Sequence, residues 1–110
     1  MKWNPLTDMA QLDVIDRDSA TQKILLFKHS TRCSTSSMAL ARMERNWKEE
    51  NEKVITPYFL DLLAHRNVSN AIAERYGIQH QSPQVLVIDK GRCVYTQSHL
   101  GISVQDIMEI

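Results

Sequence analysis

The chain is poor in the residues that build small secreted scaffolds. It has two cysteines, sixty positions apart at 33 and 93, together with three glycines and three prolines in 110 residues. Two distant thiols cannot form a multi-bridge framework, and a reducing compartment would keep them as thiols. No excess of either charge is present either, since thirteen basic residues face thirteen acidic ones. That balance provides no field for nucleic acid or an anionic membrane surface. No apolar run approaches the length needed to cross a bilayer, and Met1-Lys-Trp-Asn-Pro-Leu-Thr-Asp8 lacks the apolar stretch of a signal peptide. The expectation is a cytoplasmic protein, with residues 1–110 forming one domain around a modest core. Repeats, linkers and low-complexity tracts are also missing.

What is present is a regular alternation of apolar patterns. Asp8 with Gln11 reads as a capping pair, and Met9, Leu12 and Ile15 recur at helical spacing, predicting a helix over about 8–20. A buried strand follows at 23–29. From Ser34 onward Leu40, Met43 and Trp47 lie three and four apart, which predicts the longest amphipathic helix, ending near Glu50-Asn51. Ile55 to Asp61 reads as a strand whose Pro57 assigns it to an edge or moves its start. Ser69 is placed to cap a third helix carrying Ile72 and Tyr76, and Gly77 to close it in a left-handed conformation. Val85-Leu-Val-Ile88 and Cys93-Val-Tyr-Thr96 flank Asp89-Lys-Gly-Arg92 as an antiparallel hairpin, with Cys93 and Tyr95 on one face by alternation. Ser103 can begin a short last helix. The order α-β-α-β-α-β-β-α predicts an α/β fold with a mixed sheet of about four strands covered by helices.

Cys33 falls where the strand 23–29 gives way, through Ser30-Thr-Arg32, to the helix beginning at Ser34. A helix N-terminus carries unpaired N–H groups and partial positive charge, and Lys28, His29 and Arg32 lie close in sequence, so the thiolate is favoured there. The thiolate is the attacking species in thiol exchange. Cys33-Ser-Thr-Ser36 stands where a redox protein of this topology would carry Cys-x-x-Cys. Ser82-Pro83-Gln84 precedes the hairpin, where a proline can enter a strand without removing a ladder bond. Cys93, inside a strand, reads as a packing residue. The two cysteines with His29, His65, His80 and His99 lack the paired spacing of a metal site, so no metal is predicted.

Taken together, Lys28-His-Ser-Thr-Arg-Cys33, Ser82-Pro-Gln84 and Ser98-His99 in this element order resemble the bacilliredoxin C family, and Leu60-Asp-Leu62 with Arg66 and Ser69 extend the likeness over nearly the whole chain. The resemblance implies a thioredoxin-like fold and a monothiol oxidoreductase that removes bacillithiol from S-bacillithiolated client proteins. Cys33 would be the reactive thiol, and Ser82-Pro83 the cis-proline loop facing it. Lys28, His29, Arg32, Ser34 and Ser36 would stabilise the thiolate or bind substrate. Bacillithiol would be a co-substrate, with no tightly bound cofactor and neither nucleic acid nor membrane as partner. This chain has Ser34 where the family often has proline. Two other functions share parts of the pattern. One is a glutaredoxin-like carrier of an iron–sulfur cluster, which also uses Cys-x-x-Ser but has a glycine and an aromatic residue between the two. The other is a silent thioredoxin-like interaction module, whose binding would survive Cys33→Ser.

Overall fold

In the computed structural model, which describes residues 1–110, the chain runs through strand β1 (Asn4–Pro5), helix α1 (Ala10–Asp18), β2 (Lys23–His29), α2 (Ser34–Asn46), β3 (Ile55–Asp61), α3 (Arg66–Tyr76), β4 (Gln84–Asp89), β5 (Arg92–Ser98) and α4 (Val104–Met108). The sheet order is β1-β3-β2-β4-β5. The first three neighbours pair in parallel, and β4 and β5 join antiparallel. The expected mixed sheet is therefore present with one more strand than the roughly four predicted. β1 is only two exposed residues long, too short to leave a periodic signal, and is fixed by pairing with Tyr58 and Phe59.

Alternation along β2 and β4 divides the core into two layers. Ile24, Leu26, Leu86 and Ile88 point to α1 and α3, packing with Leu12, Ile15, Val68 and Ile72. Leu25, Phe27, Val85 and Val87 point to α2 and α4, packing with Ala39, Met43 and Ile107. Burial on both faces explains the continuous apolar run over 24–27. Contrary to both expectations from Pro57, β3 is not an edge strand and does not start at that proline. It lies between β1 and β2, and Pro57 sits inside it, opposite Leu25 of β2. Its carbonyl accepts from Asn4 Nδ2 at 3.1 Å, so the missing N–H lies on the β1 side and costs the β2 ladder nothing.

The local caps follow the chemistry of their residues. Gln11 Oε1 accepts from Asp8 N–H at 3.0 Å, Asp8 Oδ1 accepts from Ala10 N–H at 2.9 Å, and Ser103 Oγ accepts from Asp106 N–H at 3.4 Å. Gly77 closes α3 at φ 66°. The hairpin turn puts Lys90 and Gly91 at φ 53° and 75°, the left-handed pair that suits the twist of the strands.

Three further expectations need correction. Helix α2 ends at Asn46, because Trp47 turns to an extended ψ of 129° and the chain restarts as a 3-10 turn over Glu49–Lys53. That break lets Trp47 stay in the core while its Nε1 donates to Glu52 at 2.6 Å. Ser69 does not cap α3; the helix starts at Arg66 with His65 before it, and Ser69 lies buried within it. Cys93 and Tyr95 do not share a face. Ile88 opposes Cys93 while Val87 opposes Tyr95, leaving Val94 as the extra residue of a β-bulge. Cys93 accordingly packs with the α1/α3 layer and Tyr95 with the α2/α4 layer.

Candidate active site

The carboxyl end of β2 opens into the loop Ser30–Arg32, and Cys33 follows as the N-cap of α2. The turn is closed by Cys33 N–H donating to Ser30 O and Ser37 N–H donating to Cys33 O, both at 3.2 Å. Cys33 is a free, half-buried thiol that makes no capping bond with its side chain. Its sulfur is thus uncommitted at the positive end of a helix of 13 residues.

Beneath the loop lies a buried polar knot. Ser36 Oγ accepts from Ser30 N–H at 3.0 Å and lies 2.7 Å from His29 Nδ1. Burial lowers the His29 pKa, with Asp61 acting in the opposite direction. The shift favours the neutral ring, whose Nδ1 shares one hydrogen bond with the Ser36 hydroxyl. His29 also packs on Phe59, with ring centroids 5.3 Å apart. Ser36, expected to stabilise the thiolate or bind substrate, is fully buried, and its hydroxyl is used twice in holding the loop. Arg32 and Ser34 are exposed beside Cys33, where they can meet a ligand.

Lys28 goes elsewhere. Strand alternation puts it on the α3 side, where it is fully buried and its Nζ donates to Ser69 O at 3.1 Å and to His80 Nδ1 at 3.3 Å. No carboxylate pairs with it, and desolvation pulls its pKa from 10.5 to about 8. The prediction of Lys28 as a thiolate stabiliser is corrected accordingly, because nearness in sequence put it across the sheet from α2. Its ammonium instead braces the approach to the Ser82-Pro83 loop. His80 is lowered too, first by burial and then by Lys28 and Arg66.

The Ser82–Pro83 peptide bond is cis. Gln84, the next residue, pairs with Lys28, so Pro83 stands at the same end of the sheet as His29 and the Cys33 loop. Gln84 Nε2 donates to Gln79 O at 3.0 Å and its Oε1 accepts from Gln81 N–H at 3.3 Å, fixing the loop. On the other side His99 N–H donates to Pro83 O at 3.0 Å. Ser82 Oγ is buried without a hydrogen-bond partner. That hydroxyl is enclosed by the loop and is not presented to the surface.

Cys93 belongs to the opposite end. It opposes Ile88, which opposes Ile24, and Ile24 lies five residues before His29 on β2. At roughly 3.3 Å per residue this is about 16 Å, on the face away from α2, whereas a disulfide needs Cα atoms within about 7 Å. Burial raises the Cys93 pKa, and its thiol donates to Tyr95 O at 3.3 Å. No group of three or more His, Cys, Asp or Glu side chains is arranged to hold a metal ion.

Several of these partners were missed by sequence reasoning. The His29–Ser36 bond joins residues seven apart across a turn, and the Lys28–His80 contact crosses the fold. Strand alternation between Lys28 and His29 was the one signal that could have separated their roles.

Comparison with known proteins adds family and fold. Residues 4–107 match the family described as monothiol bacilliredoxin BrxC. Among solved structures, the chain resembles one described as having a thioredoxin fold and an inferred oxidoreductase role, at 23% identity and TM-score 0.80, covering 96% of this chain and 89% of that one. The thioredoxin Mala s 13 of Malassezia sympodialis aligns at 9% identity and TM-score 0.77, with 98% and 86% covered. Fasciola hepatica thioredoxin aligns at 14% identity and TM-score 0.71, with 96% and 93% covered. At these identities the likeness establishes a thioredoxin fold.

Proposed function

The chain belongs to the monothiol bacilliredoxin family, a group of thiol oxidoreductases, and on that premise we propose that it removes bacillithiol from S-bacillithiolated client proteins in the cytoplasm through Cys33. The observation that carries the reading is an uncommitted Cys33 thiol at a helix N-cap whose i+3 neighbour, Ser36, is buried and whose only fellow cysteine is at the far end of the sheet. Such a site can take up a cap but has no second sulfur with which to expel it.

In the first step the Cys33 thiolate attacks the bacillithiol sulfur of the client mixed disulfide. The bond between client and bacillithiol breaks, the client leaves as a thiolate that takes a proton from water, and a Cys33–bacillithiol disulfide forms. One disulfide is exchanged for another, with no net oxidation. In the second step free bacillithiol attacks its counterpart on Cys33, releasing the symmetrical disulfide and restoring the thiolate. Bacillithiol is substrate and reductant, and no resident cofactor is required. The client backbone would lie along the Ser82-Pro83 loop in an extended conformation, which takes affinity from main-chain bonds and asks little of client sequence. Arg32 and Ser34, exposed beside Cys33, would meet the carboxylates of the small thiol.

The test mixes reduced Cys93→Ala protein with a bacillithiol-capped client and follows both intact masses, with Cys33→Ser as control. The expected result is movement of the cap onto Cys33 with release of the client. A client that stays capped beside an alkylatable Cys33 would overturn the reading.

A further inference from the structure

A groove of about 250 Å³ runs between α2 and the 3-10 turn His99–Gly101, lined by Met38, Ala41, Arg42, Arg45, His99 and Leu100. Leu100 and Met38 are the most exposed large apolar side chains of the protein, at 66% and 62%. That exposure is built into the backbone. His99 takes a left-handed φ of 56°, a conformation unfavourable for a residue with a side chain. Arg42 Nη2 donates to Leu100 O at 3.1 Å and also to Ile102 O, pinning the turn to the helix. A Cβ on Gly101 would meet the Gln97 side chain at 2.7 Å, so only glycine passes there without displacing it. Leu100 is thereby held out of the core.

The groove continues the candidate active site. Ser34, Met38, Ala41 and Arg45 form one stripe of α2 beginning next to Cys33, and the His99 N–H that donates to Pro83 O starts the opposite wall. Its volume is below the roughly 300–1,000 Å³ of pockets that enclose a whole small ligand, and suits one or two side chains of a polypeptide. Its charged lining is cationic, with no carboxylate among the lining residues and no ion pair to Arg42 or Arg45.

We infer that this groove selects clients: it receives the segment flanking the modified cysteine, seating a large apolar side chain against Met38 and Leu100 and a carboxylate near Arg45. The occupant is an apolar and acidic polypeptide segment, and the inference rests on the reading that Cys33 exchanges with protein disulfides.

Two short peptides with serine in place of the modified cysteine test the surface without chemistry, one flanked by leucine and glutamate and one by serine and lysine. Titrated into the isotope-labelled full chain carrying Cys33→Ser, the first should shift the amide signals of Met38, Ala41 and Leu100, and the second should not. Leu100→Ser should weaken the first peptide roughly tenfold and Arg45→Gln about threefold. Equal binding of both peptides, or shifts confined elsewhere, would overturn the inference. The corresponding bacillithiol-capped cysteine peptides then report transfer to the wild-type chain, with a roughly tenfold preference in kcat/KM for the first that falls toward one in Leu100→Ser. Transfer at equal rates from both sinks the groove and leaves the chemistry. No transfer, with the groove shifts intact, sinks the chemistry and leaves a peptide-binding surface.

Discussion

The two ends of the sheet carry one cysteine each and treat it in opposite ways. At the hairpin end the antiparallel strands close on each other just past the bulge at Val94: Lys90 and Gly91 make a tight left-handed turn, Ser19 accepts their N–H groups, and Cys93 fills a place in an apolar layer with its proton held toward Tyr95 O. At the other end the parallel strands β2 and β3 run out into loops, and polar residues that would be costly in a core are buried and paired there: His29 with Ser36, Lys28 with Ser69 and His80, and Gln84 with its own loop. Ligand sites in open α/β sheets favour the carboxyl ends of strands because helix N-termini and loops converge there. The strand end a cysteine occupies decides whether its thiol is packed into an apolar layer or left uncommitted at a helix N-terminus; residue type alone does not.

The sharpest way to break this contrast is to exchange the roles of the cysteines. Cys33→Ser should reduce cap transfer by roughly a thousandfold or more, while Cys93→Ala should stay within about twofold, as read by intact mass. A large loss in Cys93→Ala would join the two ends after all. Next is the buried ammonium at the site end. Because the Lys28 pKa is lowered from 10.5 to about 8, the unfolded chain holds a proton that the folded chain lacks across that window, so this group's contribution to stability rises with pH from about 8 to 10.5. Urea unfolding of wild type and Lys28→Met should therefore diverge in favour of wild type by about 3 kcal/mol over the window, and the difference should be flat below it. The subtraction removes the tyrosines and Cys93, whose raised pKa values act with the opposite sign.

Ser36→Ala leaves the Ser30 N–H and His29 Nδ1 without their partner and should cost about 1–3 kcal/mol in urea unfolding. It should also slow transfer, because the Cys33 loop loses its anchor. Gly91→Ala at the hairpin end should cost about 1 kcal/mol, since φ 75° penalises a Cβ although nothing lies within 4 Å of it. Transfer should be unchanged in this variant, separating stability at one end from chemistry at the other.

Much of the fold was legible where local chemistry and tertiary packing agree. Strand β2 has the predicted bounds because the run 23–29 is almost wholly buried, and Gly77, the Asp8–Gln11 pair and Gly91 behave as their residue types require. Features decided by distant partners were not legible. Trp47 leaves its helix to reach Glu52 and the core, the bulge at Val94 turns Cys93 away from Tyr95, and β1 exists only because β3 offers it an edge. At the site, the position of Cys33 followed from the strand-to-helix junction. The buried roles of Ser36 and Lys28 depended on partners that spacing alone does not reveal.

The outer strands bear on how such a protein survives contact with many extended chains. β1 is two residues long and ends in a proline, and β5 is distorted by its bulge, both features that deny a clean hydrogen-bonding border to another strand. Under the proposed function, a protein that invites client backbone at the Ser82-Pro83 loop would be liable to polymerise with its own copies if its borders were equally welcoming. Blunted margins would keep each encounter to a single docking place, so that clients come and go while the protein stays dispersed.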